Sequence, residues 1–179
     1  MKLKGMQIIT NLRENLQIEI GRHLYAVLSG YAQLEAFERN ELMQAQKTDG
    51  TSMPKAINLS RALLDRIGDS DLRDLVKQEG KYPFGVKRKL GHEFDALLAD
   101  LLSQERFVIL KNLELLFAFD LELETVRARA TNQSHILLLL PGKISGDHIF
   151  LFTEAEQRFH RQLPFQLIAD NHLWELDHA

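Results

Sequence analysis

No cysteine occurs among the 179 residues, which excludes disulfide scaffolds, thiolate zinc sites and cysteine nucleophiles. The four prolines and ten glycines are too few for a low-complexity linker. Long apolar runs are missing too. The most apolar, Ile136 to Leu140, is five residues closed by Pro141, against the ~20 needed to cross a bilayer. Lys2 and Lys4 open the chain, but Arg13 and Glu14 interrupt the apolar positions that follow, so the start does not read as a signal peptide. There is also no surplus of positive charge. The 22 Lys and Arg face 25 Asp and Glu, a net charge of −3, so bulk nucleic-acid binding is not indicated, although a near-neutral total can hide a local basic patch. A soluble, cytoplasmic chain without membrane contact is expected.

What is present is ordinary for a globular domain: 45% hydrophobic and 26% charged residues. At this length a single domain buries roughly 70% of the surface its unfolded chain exposes. Ile8, Ile9, Leu12, Leu16 and Ile20 recur at helical spacing, and Gly21 ends that helix. Residues 23–29 form an apolar run closed by Gly30 and read as a buried strand. Residues 31–46 lack Gly and Pro and read as helix. A short strand at 56–58 precedes a helix with Leu59, Leu63, Leu64 and Ile67 on one face and Gly68 as its stop. Another helix is expected over 71–78. A turn at 80–85 leads into a longer helix carrying Leu90, Phe94, Leu97, Leu98 and Leu101. Residues 107–110 read as strand and 113–129 as mostly helix. The run 135–140 has no polar alternation, the mark of a strand covered on both faces. Short stretches at 149–152, 165–168 and 173–176 read as edge strands. This alternation predicts one three-layer α/β domain with a mostly parallel sheet. It comprises an N-terminal helix at 1–21, a core at 22–152 and a C-terminal edge segment at 153–179.

A strand that closes on glycine and feeds a helix is where a phosphate-binding loop would sit. A working loop needs glycine-rich backbone and a Lys-Ser/Thr pair. Ser29-Gly30-Tyr31 supplies one glycine, the next lysine is Lys47, and Glu35 adds negative charge. Nucleotide hydrolases often end a later strand with an acid that orients magnesium, yet here Lys111 stands at that end, followed by Asn112 and Glu114. Lysine cannot ligate the metal. The Gly142-Lys143 pair is followed by Ile144 rather than Ser or Thr and reads as a turn between strands. The seven histidines show no metal-site spacing, so no metal is expected. No Gly-x-Ser-x-Gly elbow is present. Two basic clusters remain. Lys87, Arg88 and Lys89, with Lys81, Tyr82 and Phe84 before them, offer cations and stacking rings to a phosphate backbone. Arg127 and Arg129 suit a helix C-terminus. Solvated helix ends are the plainer reading of both clusters, and contact with nucleic acid or a partner's phosphates is the alternative.

The order of segments resembles the F component of BREX phage-defence systems, a small P-loop-type subunit. The segment from Ile57 to Ile67 is similar to one that follows that family's nucleotide loop. Lys111-Asn112-Leu113-Glu114-Leu115-Leu116-Phe117 is similar to its Asp-Asn-[Ile/Leu]-Glu-[Ile/Leu]-Leu-Phe motif. The stretch from Pro141 to Phe152 also resembles the close of the BREX B component. The likeness covers about residues 22 to 165. It implies a P-loop-NTPase-like domain, a weak nucleotide site at Ser29, Gly30, Tyr31, Lys111, Asn112 and Glu114, and partners among other defence subunits. Two departures imply a degenerate, non-hydrolysing relative: the loop's Gly-Lys-Ser/Thr is absent, and Lys111 replaces the motif's Asp. The expectation is therefore a non-catalytic subunit acting through protein assembly, with no cofactor. Homo-oligomerisation or DNA contact is possible in addition. The alternatives are an ATP- and magnesium-using subunit with an atypical loop, in which Lys111 or Lys143 replaces the missing lysine, or a DNA-binding accessory module.

Overall fold

Continuous burial on both sides shapes the strands of this chain. The computed structural model describes residues 1–177, without the side chains of residues 69–72. The strands are β1 (Lys2–Leu3), β2 (Leu24–Ser29), β3 (Ile57–Asn58), β4 (Phe107–Lys111), β5 (His135–Ser145), β6 (His148–Leu151), β7 (Arg161–Pro164) and β8 (Leu173–Leu176). They form an eight-stranded sheet in the order β1-β8-β2-β5-β4-β3, and every pair along that path is parallel. β6 and β7 extend the far end of β5 as an antiparallel meander.

The helices are α1 (Gly5–Asn15), α2 (Tyr31–Phe37), α3 (Leu59–Ile67), α4 (Asp69–Glu79), α5 (Pro83–Gln104), α6 (Glu114–Ala118) and α7 (Glu124–Arg129). They divide between the two faces of the sheet because side chains alternate along each strand. Leu24, Ala26 and Leu28 of β2 face a core built with α3 to α7. Tyr25 and Val27 face the smaller core that includes Ile8, Ile9 and Leu12 of α1 and Leu34 and Phe37 of α2. The domain is thus three-layered, as its alternating pattern predicts.

Several elements differ from the sequence reading. α1 stops at Asn15 rather than running to Ile20, whose side chain is 85% exposed. α2 passes into a π-helical stretch, Glu38–Leu42, and does not extend to residue 46. Residues 113–129 break into α6 and α7 at Asp120, which has φ 52°. Residues 165–167 form a 3-10 turn, not a strand. β8 is no edge strand: it lies between β1 and β2, with Trp174 fully buried. β5 does not end at Pro141. Its residues up to Pro141 pair with β2, while Gly142 to Ser145 pair with β6. The His135 N–H donates toward β4 and the Ile136 N–H toward β2, so by alternation the missing N–H of Pro141 falls on the β4 side, past Lys111 where β4 ends, and no ladder bond is lost. Gly142 is needed there, because a Cβ would collide with the Phe150 carbonyl oxygen.

The connection after β2 runs to β3 at one edge, passing β5 and β4, whereas the chain after β5 returns across β2 to β8. The carboxyl ends of β2 and β5 are therefore a topological switch point, the place where open α/β sheets form their crevices.

Candidate functional site

Two cavities open at that switch point, on either side of the β2–α2 turn. The first, about 390 Å³, is lined by Lys2, Ser29, Gly30, Lys143, Glu154 and Glu175 among others. The second, about 260 Å³, is lined by Tyr31, Glu35, Glu38, Lys111, Asn112 and Pro141 among others.

Gly30 caps α2 in an extended conformation. The Glu154 carboxylate, from the turn after β6, lies against this cap. Its Oε2 accepts the Tyr31 backbone N–H at 3.2 Å, and a Cβ on Gly30 would collide with its Oε1. The amides at a helix start favour a negative partner, and here the chain supplies one itself. Tyr31 then donates its hydroxyl to Glu114 Oε1 at 3.2 Å. Burial and the neighbouring Glu114 and Glu154 carboxylates push the Tyr31 phenol up to about 12, so it stays a neutral donor.

At the end of β4, Lys111 Nζ donates to both carboxylate oxygens of Glu38, at 2.8 and 2.7 Å. The pair is largely enclosed, with 33% of the lysine side chain and 13% of the glutamate exposed. Asn112 follows with φ 56°. Its carbonyl accepts from the Ser60 hydroxyl at 2.6 Å, and that hydroxyl accepts the Leu115 N–H at 3.2 Å. These bonds tie the end of β4 to the starts of α3 and α6.

Ser29, Gly30, Tyr31, Lys111, Asn112 and Glu114 therefore meet at one end of the sheet, although Tyr31 and Glu114 are 83 residues apart. Sequence reasoning missed the two carboxylates that close the site. Glu38 carried a signal, since Tyr31, Glu35 and Glu38 share one helical face at i, i+4 and i+7. Glu154 had none, lying 123 residues from the amide it holds.

The basic residues are dispersed. Lys87, Arg88 and Lys89 are exposed on the first turns of α5. Arg127 donates to Glu124 at 3.1 Å. Arg129 grips Asp95 through two bonds, at 2.8 and 2.7 Å, and holds that carboxyl below its ordinary value. Both arginines thus sit in ion pairs, the second binding α7 to α5.

The opposite, amino end of the sheet holds a different cluster. His23 and His172 immediately precede β2 and β8, and His135 opens β5, so three adjacent parallel strands each begin at a histidine. His23 and His135 are stacked with ring centres 4.2 Å apart. The Tyr25 hydroxyl lies 3.2 Å from the Nδ1 of each. Burial lowers the pKa of all three imidazoles, that of His135 to about 4. Among the described residues no cluster of side chains could hold a metal ion, and no helix is long and apolar enough to cross a membrane.

Compared with family models, with curated proteins and with solved structures, the chain matches none.

Proposed function

We propose that this chain is a non-catalytic, P-loop-like subunit that works by assembly with protein partners. The setting is the one implied by the resemblance, a prokaryotic anti-phage complex of the BREX type. The observation that carries the non-catalytic part is the double closure of the switch point. Glu154 occupies the helix-start amide that a phosphate would need. Glu38 takes the charge of Lys111, which already stands where a metal-orienting acid is expected.

A magnesium-bound triphosphate does not fit this set of residues. Its anionic oxygens would face Glu35, Glu38 and Glu154 around the β2–α2 turn, and desolvated like charges repel strongly. Of the two lysines lining the first cavity, Lys2 lies on β1 and Lys143 on the antiparallel half of β5. A closed, internally paired site leaves a rigid α/β scaffold whose surfaces, rather than its crevice, do the work.

Two measurements test this. Thermal unfolding with millimolar ATP and magnesium should leave the midpoint unchanged. A bound ligand at 100 times its dissociation constant would add about 2.7 kcal/mol, a rise of about 5–10 °C for a domain of this size, and such a rise would overturn the closed-site reading. Coexpression with the larger subunits of a BREX-type system should give one comigrating complex on size exclusion. A lone monomer, eluting apart from all of them, would overturn the assembly reading.

A further inference from the structure

A cluster of positive charge lies away from the crevice. Residues 73–89 cover the end of α4, the following turn and the first turns of α5. They carry Arg73, Lys77, Lys81, Lys87, Arg88 and Lys89 against Asp74 and Glu79. That is a surplus of four positive charges within a chain of net charge −3. Within the stretch, Leu75 and Val86 point into the core and the other residues are exposed.

Two large rings stand among these cations. Phe84 is 87% exposed and Tyr82 68%. Pro83 separates them at the first position of α5, and its fixed φ limits the backbone freedom between the two rings. The first turn of α5 has no acidic residue, and Lys87, Arg88 and Lys89 follow in its second turn. Cations gathered on an exposed surface beside two unburied rings point to function rather than to folding.

Not every cation in the stretch is available. Lys77 lies 3.5 Å from Asp74, and Lys87 shares a cavity with Asp120, Glu122 and Glu124. Lys81 and Arg88 form no ion pair among the described residues. We propose that this tip binds single-stranded nucleic acid, with phosphates on Lys81 and Arg88 and unpaired bases stacked on Tyr82 and Phe84. Separate positive groups and exposed rings are what a single strand offers a use for. A duplex keeps its base faces stacked, and an acidic protein segment would leave the rings unused.

The test is fluorescence anisotropy of the full chain with a labelled oligothymidylate, between 50 and 200 mM salt. Binding is expected at the low end and should weaken steeply as salt rises, since each phosphate contact contributes about −0.7 to the logarithmic slope. Phe84→Ala should weaken binding about tenfold and leave that slope unchanged. Lys81→Gln and Arg88→Gln should each flatten it by about 0.7. All three side chains are exposed, so an unchanged unfolding midpoint will show that the variants fold. The proposal is overturned by absence of binding at 50 mM salt, or by full affinity in the Tyr82→Ala, Phe84→Ala double variant. Equal affinity for polyglutamate would make the patch a charge-only surface, and equal affinity for phosphatidylserine vesicles would make it a membrane surface; either overturns it. None of these outcomes bears on the nucleotide crevice, which the ATP titration tests separately.

Discussion

The two ends of the parallel sheet are closed in opposite ways. At the carboxyl end the polar groups are charged: Lys111 pairs with Glu38, and Glu154 caps the start of α2. At the amino end they are neutral, with Tyr25 hydrogen-bonded between His23 and His135. Exposure explains the difference. The carboxyl end opens into cavities, so water helps to solvate its ions. His23 and His135 are only 2% and 5% exposed, where a charged imidazole would lose its hydration. At the carboxyl end charged groups pair with one another, whereas at the amino end the two buried imidazoles stay uncharged beside a cavity that His135 lines.

That contrast is most easily broken with acid. Burial, then repulsion from His23 and His172, holds His135 at about 4 against an ordinary 6.5. Between those values the unfolded chain binds more protons than the folded one. Stability is therefore full above about pH 6.5 and declines as pH falls toward 4, by about 3 kcal/mol for His135 alone. His23 and His172 are shifted in the same direction and steepen the fall. Urea midpoints from pH 7.5 to 4.5 should show this decline, and His135→Gln should flatten it. An equally steep decline in that variant would place the acid sensitivity elsewhere.

At the other end a smaller effect is expected. Lys111→Met leaves the Glu38 carboxylate unpaired and should cost about 2 kcal/mol, since the pair is enclosed but not fully buried. Adding Glu38→Leu should restore stability to within about 1 kcal/mol of the parent chain. Chemical denaturation of the single and double variants measures both. If the double variant remains as unstable as the single, the pair does more than neutralise itself.

Glu154→Gln should change stability least, by under about 1 kcal/mol. Its informative result is ligand-dependent: pyrophosphate should raise the unfolding midpoint of the variant and not of the parent. A variant indifferent to pyrophosphate would mean that removing the Glu154 charge is not enough to open the crevice.

Much of this arrangement could be read from the chain before folding. β2, β4 and β5 are sandwiched between helical layers, so their apolar residues run without alternation. Gly68, at φ 78°, ends α3 where the helical stripe ends. The residues that close the short runs, Gly30 and Lys111, marked the two halves of the site. What could not be read depended on pairing across long separations. β1 is two residues long and has no pattern of its own. Leu173-Trp174-Glu175-Leu176 looks half-exposed until β1 is placed beside it. Pro141 looks like a stop because its new partner, β6, begins only at His148. Glu154 gains meaning only when the β6 turn folds back over Gly30.

The interior position of β8 also orders events in time. Among the described residues β1 pairs only with β8, and the Met1 carbonyl accepts the Glu175 N–H at 2.9 Å. During synthesis β2 emerges long before residues 173–176, so one side of its ladder stays unpaired until almost the whole domain has left the ribosome. Closure of this sheet is a late, long-range step, and contacts of such separation form slowly. Until it occurs, the nascent chain presents an apolar strand edge of the kind that chaperones hold and that other strands can capture.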